Sequence, residues 1–178
     1  TPGGQIIRSV AKDTAGRIFM GGYATLGYWQ NTANEGLKYY SLIDKVEIDR
    51  IKNEEIWHFL PTDRGLFFQS FSMIYRFYEG KIEAIKPPSN IMFIRQVGNK
   101  ILVPVIQDGL YEYTQEGEFE FIKGSEFLKQ KRVASILPHD GGGYLIGTQS
   151  DGLFLYENGV FTKWGYSLGE QLQQYQST

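Results

Sequence analysis

Residues 109–113 read GLYEY and residues 152–156 read GLFLY. This near-repeat constrains the fold more than any bulk property does. Aligned on the aromatic after the small turn residues, the pattern occurs four times, at Tyr28, Tyr75, Tyr111 and Phe154, spaced by 47, 36 and 43 residues. Each anchor is preceded by an apolar run: Ile18-Phe19-Met20, Leu66-Phe67-Phe68, Ile101-Leu102-Val103 and Tyr144-Leu145-Ile146. A polar or glycine turn comes before each run (13–16, 62–65, 98–100, 140–143), and a further strand-like run comes before the turn (6–12, 56–61, 91–97, 133–138). A fourth run follows each anchor, over 36–42, 80–86, 117–123 and 159–164.

Each unit therefore reads as four strands joined by turns, with a mean length of about 44 residues, and that period with that content marks β-propeller blades. The expectation is an all-β fold, a β-propeller segment over residues 1–178. Its four four-stranded blades lie near 6–42, 55–86, 91–123 and 132–164, with an inter-blade tail over 165–178. GLYEY and GLFLY are then third strands of successive blades. A sandwich needs no fixed four-strand unit, and a helical repeat would need apolar spacing near 3.6 residues, whereas these runs alternate or are continuously apolar. Stretches 43–54, 124–131 and 166–176 permit helix and are expected as inter-blade loops or single turns. A propeller must hide the edges of its first and last blades. No run is left over here to act as a closing strand, so the chain reads as part of a larger ring of roughly seven or eight blades. A self-closed four-bladed ring is the alternative.

Aromatic residues make up 15% of the chain, mostly Tyr and Phe, which favour strands. The formal charge of −2 and the absence of a dense basic cluster give no expectation of nucleic-acid binding. The KQKR run, Lys129 to Arg132, reads as a solvated loop. There is no Cys, which excludes disulfides, thiolate metal sites and a Cys nucleophile. No apolar run reaches the ~18 residues of a membrane span. The first residues, TPGGQIIRS, lack an initiator Met and the features of a signal peptide, and the chain reads as an excised piece.

The stretches IRSVAKDTAGRIFMGGYATLGYW (7–29), IWHFLPTDRGLFFQSFSMIYRF (56–77) and VASILPHDGGGYLIGTQSDGLFLY (133–156) resemble the two-component regulator propeller repeats. The pattern is a hydrophobic strand, D-x-x-G, an aliphatic strand ending in G-T or G-G, then G-L and an aromatic. LIGTQSDGLFLY, 145–156, is the best match, and the first unit keeps Asp13, Gly16, Gly21-Gly22 and Gly27. The middle units depart, with Gln69-Ser70 and Val105-Ile106 in place of G-T. The resemblance covers about 6–164 and implies the periplasmic sensor half of a Bacteroidetes signalling protein. That protein would be a hybrid two-component kinase or a triple-tyrosine regulator with a membrane span and a helix-turn-helix domain. It implies sensing of oligosaccharides or related nutrients, with membrane attachment only through other parts of the parent chain.

No catalytic set is readable. The only two histidines, His58 and His139, fall in blades that are not neighbours, so neither a metal site nor a cofactor is expected. HDGGG, 139–143, lacks the Lys-Ser/Thr of a phosphate loop and reads as a hairpin turn. Glu54 and Glu55 should diverge, whereas Glu118 and Glu120 should share a solvated face. The first strand of a blade lines a propeller's centre. Arg8, Lys12, His58 and Arg95 lie on such runs and become candidate ligand donors for hydroxyl-rich or anionic ligands, or residues solvated by channel water. Tyr23, Trp29 and Trp57 are candidate stacking platforms, with packing between blades the alternative for the two tryptophans. A carbohydrate or other small molecule is the expected partner. An exposed blade edge adds self-association. A non-binding scaffold of the same receptor and a propeller lyase or hydrolase are the competing functions.

Overall fold

A computed structural model of the chain describes residues 4–43 and 53–165. Most of 43–54 and all of 166–176, read above as inter-blade segments, lie outside the described residues. The chain divides into two compact units, Thr1–Asn90 and Ile91–Thr178, each holding two four-stranded antiparallel sheets. The first unit contains β1 (Ile7–Lys12), β2 (Ile18–Gly22), β3 (Thr25–Thr32) and β4 (Gly36–Ser41), then β5 (His58–Thr62), β6 (Gly65–Gln69), β7 (Ile74–Tyr78) and β8 (Lys81–Ile85). The second contains β9 (Arg95–Val97), β10 (Lys100–Val105), β11 (Gly109–Tyr113) and β12 (Phe119–Phe121), then β13 (Val133–Pro138), β14 (Tyr144–Thr148), β15 (Leu153–Glu157) and β16 (Val160–Trp164). Strands neighbour one another in chain order in every sheet, so these are four blades of a partial β-propeller. Within each unit the first strands of the two blades lie side by side without pairing, β1 beside β5 and β9 beside β13, as innermost strands must.

The repeat letters have local causes. Glu79-Gly80 and Asn158-Gly159 each put two successive residues at positive φ (48° and 78°, 51° and 81°), the condition for the tight hairpin turn that matches strand twist. Asp13, of the D-x-x-G pattern, accepts the backbone N–H of Arg17 at 2.8 Å while its other oxygen holds the Arg17 guanidinium at 2.6 Å. Thr148, of the G-T pair, accepts the N–H of Asp151 at 3.0 Å and donates to the carbonyl of Gly152 at 2.8 Å. Ser70 takes the same role in the second blade, accepting the N–H groups of Ser72 and Met73. Gln69-Ser70 is thus a chemical stand-in for Gly147-Thr148 rather than a loss of the motif. Gly22 is required for a different reason: a Cβ there would lie 2.1 Å from the carbonyl oxygen of Ile6.

Alternation supplies the cores. In the first unit the cross-strand rows Ala11–Phe19–Tyr28–Tyr40 and Phe59–Phe68–Tyr75–Ala84 belong to the facing surfaces of its two blades. Phe19, Phe59, Phe68, Tyr75 and Phe77 are buried there together. The Arg17 guanidinium lies over the rings of Phe19, Tyr28 and Phe77 at 5.1–5.4 Å, so the turn residue also covers the core's edge. The second core is more aliphatic, with Leu102, Leu110, Leu128, Val133, Ile136 and Ile146 around Tyr144.

Two first strands are shorter than their apolar runs. Residues 56 and 57 do not extend β5, because this segment is used elsewhere. Ala24 donates to Glu54, Ile56 donates to Gly22, and Tyr23 bridges Glu55, tying the start of one blade to the β2–β3 turn of the previous one. Of 91–97 only Arg95–Val97 is strand, and Ile91 makes a single bridge to Val105. Residues 124–131 contain one 3-10 helical segment, Ser125–Gln130. HDGGG closes the β13–β14 hairpin as read, with His139 N–H donating to the Gly143 carbonyl at 2.9 Å.

Candidate ligand platform

The tie between the two blades of the first unit assembles a mixed aromatic and charged surface. β1 carries a bulge: Ile7 pairs with Gly22 and Ser9 with Gly21, leaving Arg8 as the extra residue. Arg8 is exposed, and its guanidinium lies 4.8 Å from the centre of the Trp57 ring. Its Nε also donates to Glu55 Oε1 at 2.5 Å. Phe71 flanks Trp57 from the β6–β7 turn at 5.4 Å between ring centres. Tyr23, bridged through its backbone to Glu55, is 59% exposed. Of the residues singled out in sequence, Arg8 and Trp57 are in direct contact, and Glu55, which holds Arg8, is bridged through its backbone to Tyr23.

Glu54 faces away from Glu55, as a strand's alternation requires. It accepts hydrogen bonds from the hydroxyls of Ser72 at 2.8 Å and of the fully buried Tyr75 at 2.9 Å. That carboxylate anchors the segment from inside while Glu55 serves the surface. An exposed ion pair contributes about 0–1 kcal/mol, and an exposed cation–π contact about 0.5–1 kcal/mol. The Arg8 assembly is ordered by several such weak contacts, so its polar groups can exchange partners with a ligand at little cost.

The other candidates lie elsewhere. Lys12 is exposed at the far end of β1, ~13 Å along the strand from Arg8 by strand rise. His58 is half-buried in register with the fully buried Gln69. Arg95 is in the second unit, half-buried against the Phe93 ring, with Nη1 donating to the Ile94 carbonyl at 3.1 Å. Burial lowers its pKa below the usual arginine value. Of the four first-strand candidates, Arg8 and Lys12 are exposed, whereas His58 and Arg95 are half-buried. Trp29 is half-buried beside Tyr39, its Nε1–H pointing to Met20 Sδ at 3.1 Å, while Trp57 is half-buried beneath Arg8. Glu118 and Glu120 are both exposed.

Sequence reasoning missed Glu55 and Phe71. Glu55 is 47 residues from Arg8, and no spacing signals that contact. The readable hint was the E-E-I-W run interposed between the blades. Among the described residues no group of three or more His, Asp and Glu side chains is clustered as a metal site would be. No described helix is long and apolar enough to cross a membrane.

No protein-family model matches the chain, and no curated protein matches it. Solved structures do. The chain is similar to a catalytically inactive virginiamycin B lyase from Staphylococcus aureus, solved with quinupristin, with a TM-score of 0.65 and 16% identity over 91% of this chain. It is also similar to the extracellular domain of a putative hybrid two-component system from B. thetaiotaomicron, with a TM-score of 0.51 and 19% identity over 92% of this chain. It spans 56% of the lyase and 28% of the sensor domain. At these identities the likeness is one of fold: the blades are propeller blades.

Proposed function

We propose that this chain is part of an extracytoplasmic β-propeller that senses a hydroxyl-rich ligand, an oligosaccharide, for a bacterial signalling receptor, and that it binds without catalysing. The observation that carries this reading is the Arg8–Trp57–Glu55 arrangement beside exposed Tyr23 and Phe71. Aromatic faces suit the apolar faces of sugar rings, and a guanidinium and a carboxylate offer donors and acceptors to their hydroxyls. The similarity to a two-component extracellular domain supports the signalling and extracytoplasmic parts. The test is a panel of immobilised neutral and acidic oligosaccharides, followed by titration calorimetry on any that bind. Trp57→Ala should weaken binding by about 10-fold or more, equivalent to ~1.4 kcal/mol, with the thermal transition preserved. Undiminished binding by Trp57→Ala would remove the platform from the account.

A second reading, a scaffold that pairs with its own copy, draws on the outer face of the last blade. Leu137, Leu153, Val160 and Trp164 are all exposed there, on the face opposite the one that contributes Ile136 and Ile146 to the core. Light scattering tests it: a concentration-dependent dimer abolished by Leu153→Lys supports pairing through this face, and a monomer at all concentrations removes it.

A further inference from the structure

The second unit holds a groove at the place that corresponds to the Arg8 platform, where the β10–β11 turn meets the segment leading into the next blade. It encloses about 260 Å³, just below the roughly 300 Å³ at which small-ligand pockets begin. That size suits a single-ring ligand rather than a chain. Met92, Val105 and Leu128 contribute apolar lining, and Lys129, Lys131 and Arg132 of the KQKR run line it as well. The run read as a solvated loop is therefore gathered around a concavity.

The charges are unequally compensated. Lys131 is paired with Asp151 at 2.6 Å. Lys129 has Asp108 only at 3.8 Å, and Asp108 Oδ2 already accepts the Tyr111 hydroxyl. Arg132 is exposed and has no ion-pair partner among the described residues. Three cations against two carboxylates leave a local positive excess on a chain whose formal charge is −2. The turn that forms one wall is held firmly. Leu110 N–H donates to the buried Ser125 hydroxyl at 2.9 Å, and Gln107, a groove residue, sits at φ 64°, a strained conformation for a residue other than glycine.

We propose that this groove binds a small organic anion, its carboxylate against Lys129 and Arg132 and its apolar body against Met92, Val105 and Leu128. The inference is independent of the oligosaccharide platform, because it concerns other residues in the other unit.

The test is an amide NMR titration of the whole chain with sodium benzoate, with benzyl alcohol as the neutral analogue and inorganic phosphate as an anion without an apolar body. Benzoate should give saturable shifts at residues 92, 105–109 and 128–133. Benzyl alcohol and phosphate should each bind about 10-fold more weakly or worse. Arg132→Gln and Lys129→Gln should each weaken benzoate several-fold, and Lys86→Gln, at an exposed lysine of the first unit, should leave it unchanged. Equal affinity for benzoate and benzyl alcohol would overturn the charge assignment. Equal affinity for benzoate and phosphate would overturn the apolar part. Absent saturation, or indifference to both groove substitutions, would overturn the site itself.

Discussion

The β2–β3 turn of the first blade and the β10–β11 turn of the third occupy the same place in the blade plan, yet they meet opposite chemistry. In the first unit the turn pairs with Glu54–Ile56, and Glu55, Trp57 and Arg8 build an aromatic surface with one acid and one base. In the second unit the turn meets Lys129–Arg132 and the result is a basic groove. The cores beneath differ in the same sense, one dominated by Phe and Tyr, the other by Leu, Ile and Val. The strand framework is common to both units, and the chemistry is set by the few residues that lead into the next blade. A repeat can therefore keep its fold while each inter-blade segment carries its own recognition surface.

The sharpest way to separate the two units is through their cores. Phe68→Ala removes a fully buried ring from the aromatic core and should cost ~3–5 kcal/mol, whereas Leu102→Ala in the aliphatic core should cost ~2–5 kcal/mol. Denaturant unfolding followed through tryptophan emission measures both. A loss below about 1 kcal/mol at either position would mean that the cluster is not close-packed.

A smaller effect tests whether the middle blades truly share the motif. Ser70→Ala and Thr148→Val each remove a hydroxyl that holds the second-to-third-strand turn, and each should cost about 0.5–1.5 kcal/mol. Matching losses would equate Gln69-Ser70 with Gly147-Thr148. A neutral Ser70→Ala would leave the second blade's turn supported by its backbone alone.

The smallest effect is electrostatic and belongs to the second unit. The hydrogen bond to Asp108, then burial, then the Asp108 charge push the Tyr111 phenol up from 10 to about 12. A raised folded-state value means that the contribution is complete below pH 10 and is lost as the pH climbs through 12. Burial first, and then the charges of Tyr156 and Glu112, raise Tyr144 as well, so it adds to the same alkaline decline. Tyr111→Phe should make the fall in Tm above pH 10 shallower. An unchanged slope would assign the decline to Tyr144 and the rest of the chain.

Much of this architecture was legible because its causes are local. Alternating apolar runs, paired turn glycines and the D-x-x-G and G-T capping groups each act within a few residues, so four repeats disclosed four blades. The same reasoning overextended β5, since it could not see that Glu54–Ile56 pairs with the previous blade's turn, and β9, where residues 91 and 92 meet the end of β10 only through an isolated bridge and one hydrogen bond. The platform was legible only in parts. Arg8, Tyr23 and Trp57 stood out singly by residue type, but Glu55 joins Arg8 across 47 residues through a strand bulge that no spacing announces. The KQKR run showed its charge in sequence but not the concavity, which depends on the packing of the third and fourth blades.

The platform itself can be watched directly. The chain has three tryptophans, each with one indole N–H resonance. Titrated with an oligosaccharide that binds, the Trp57 signal should shift saturably. Trp29, whose N–H is held to Met20 Sδ, and Trp164 in the other unit should stay in place. Saturable binding that leaves Trp57 unmoved would contradict the account.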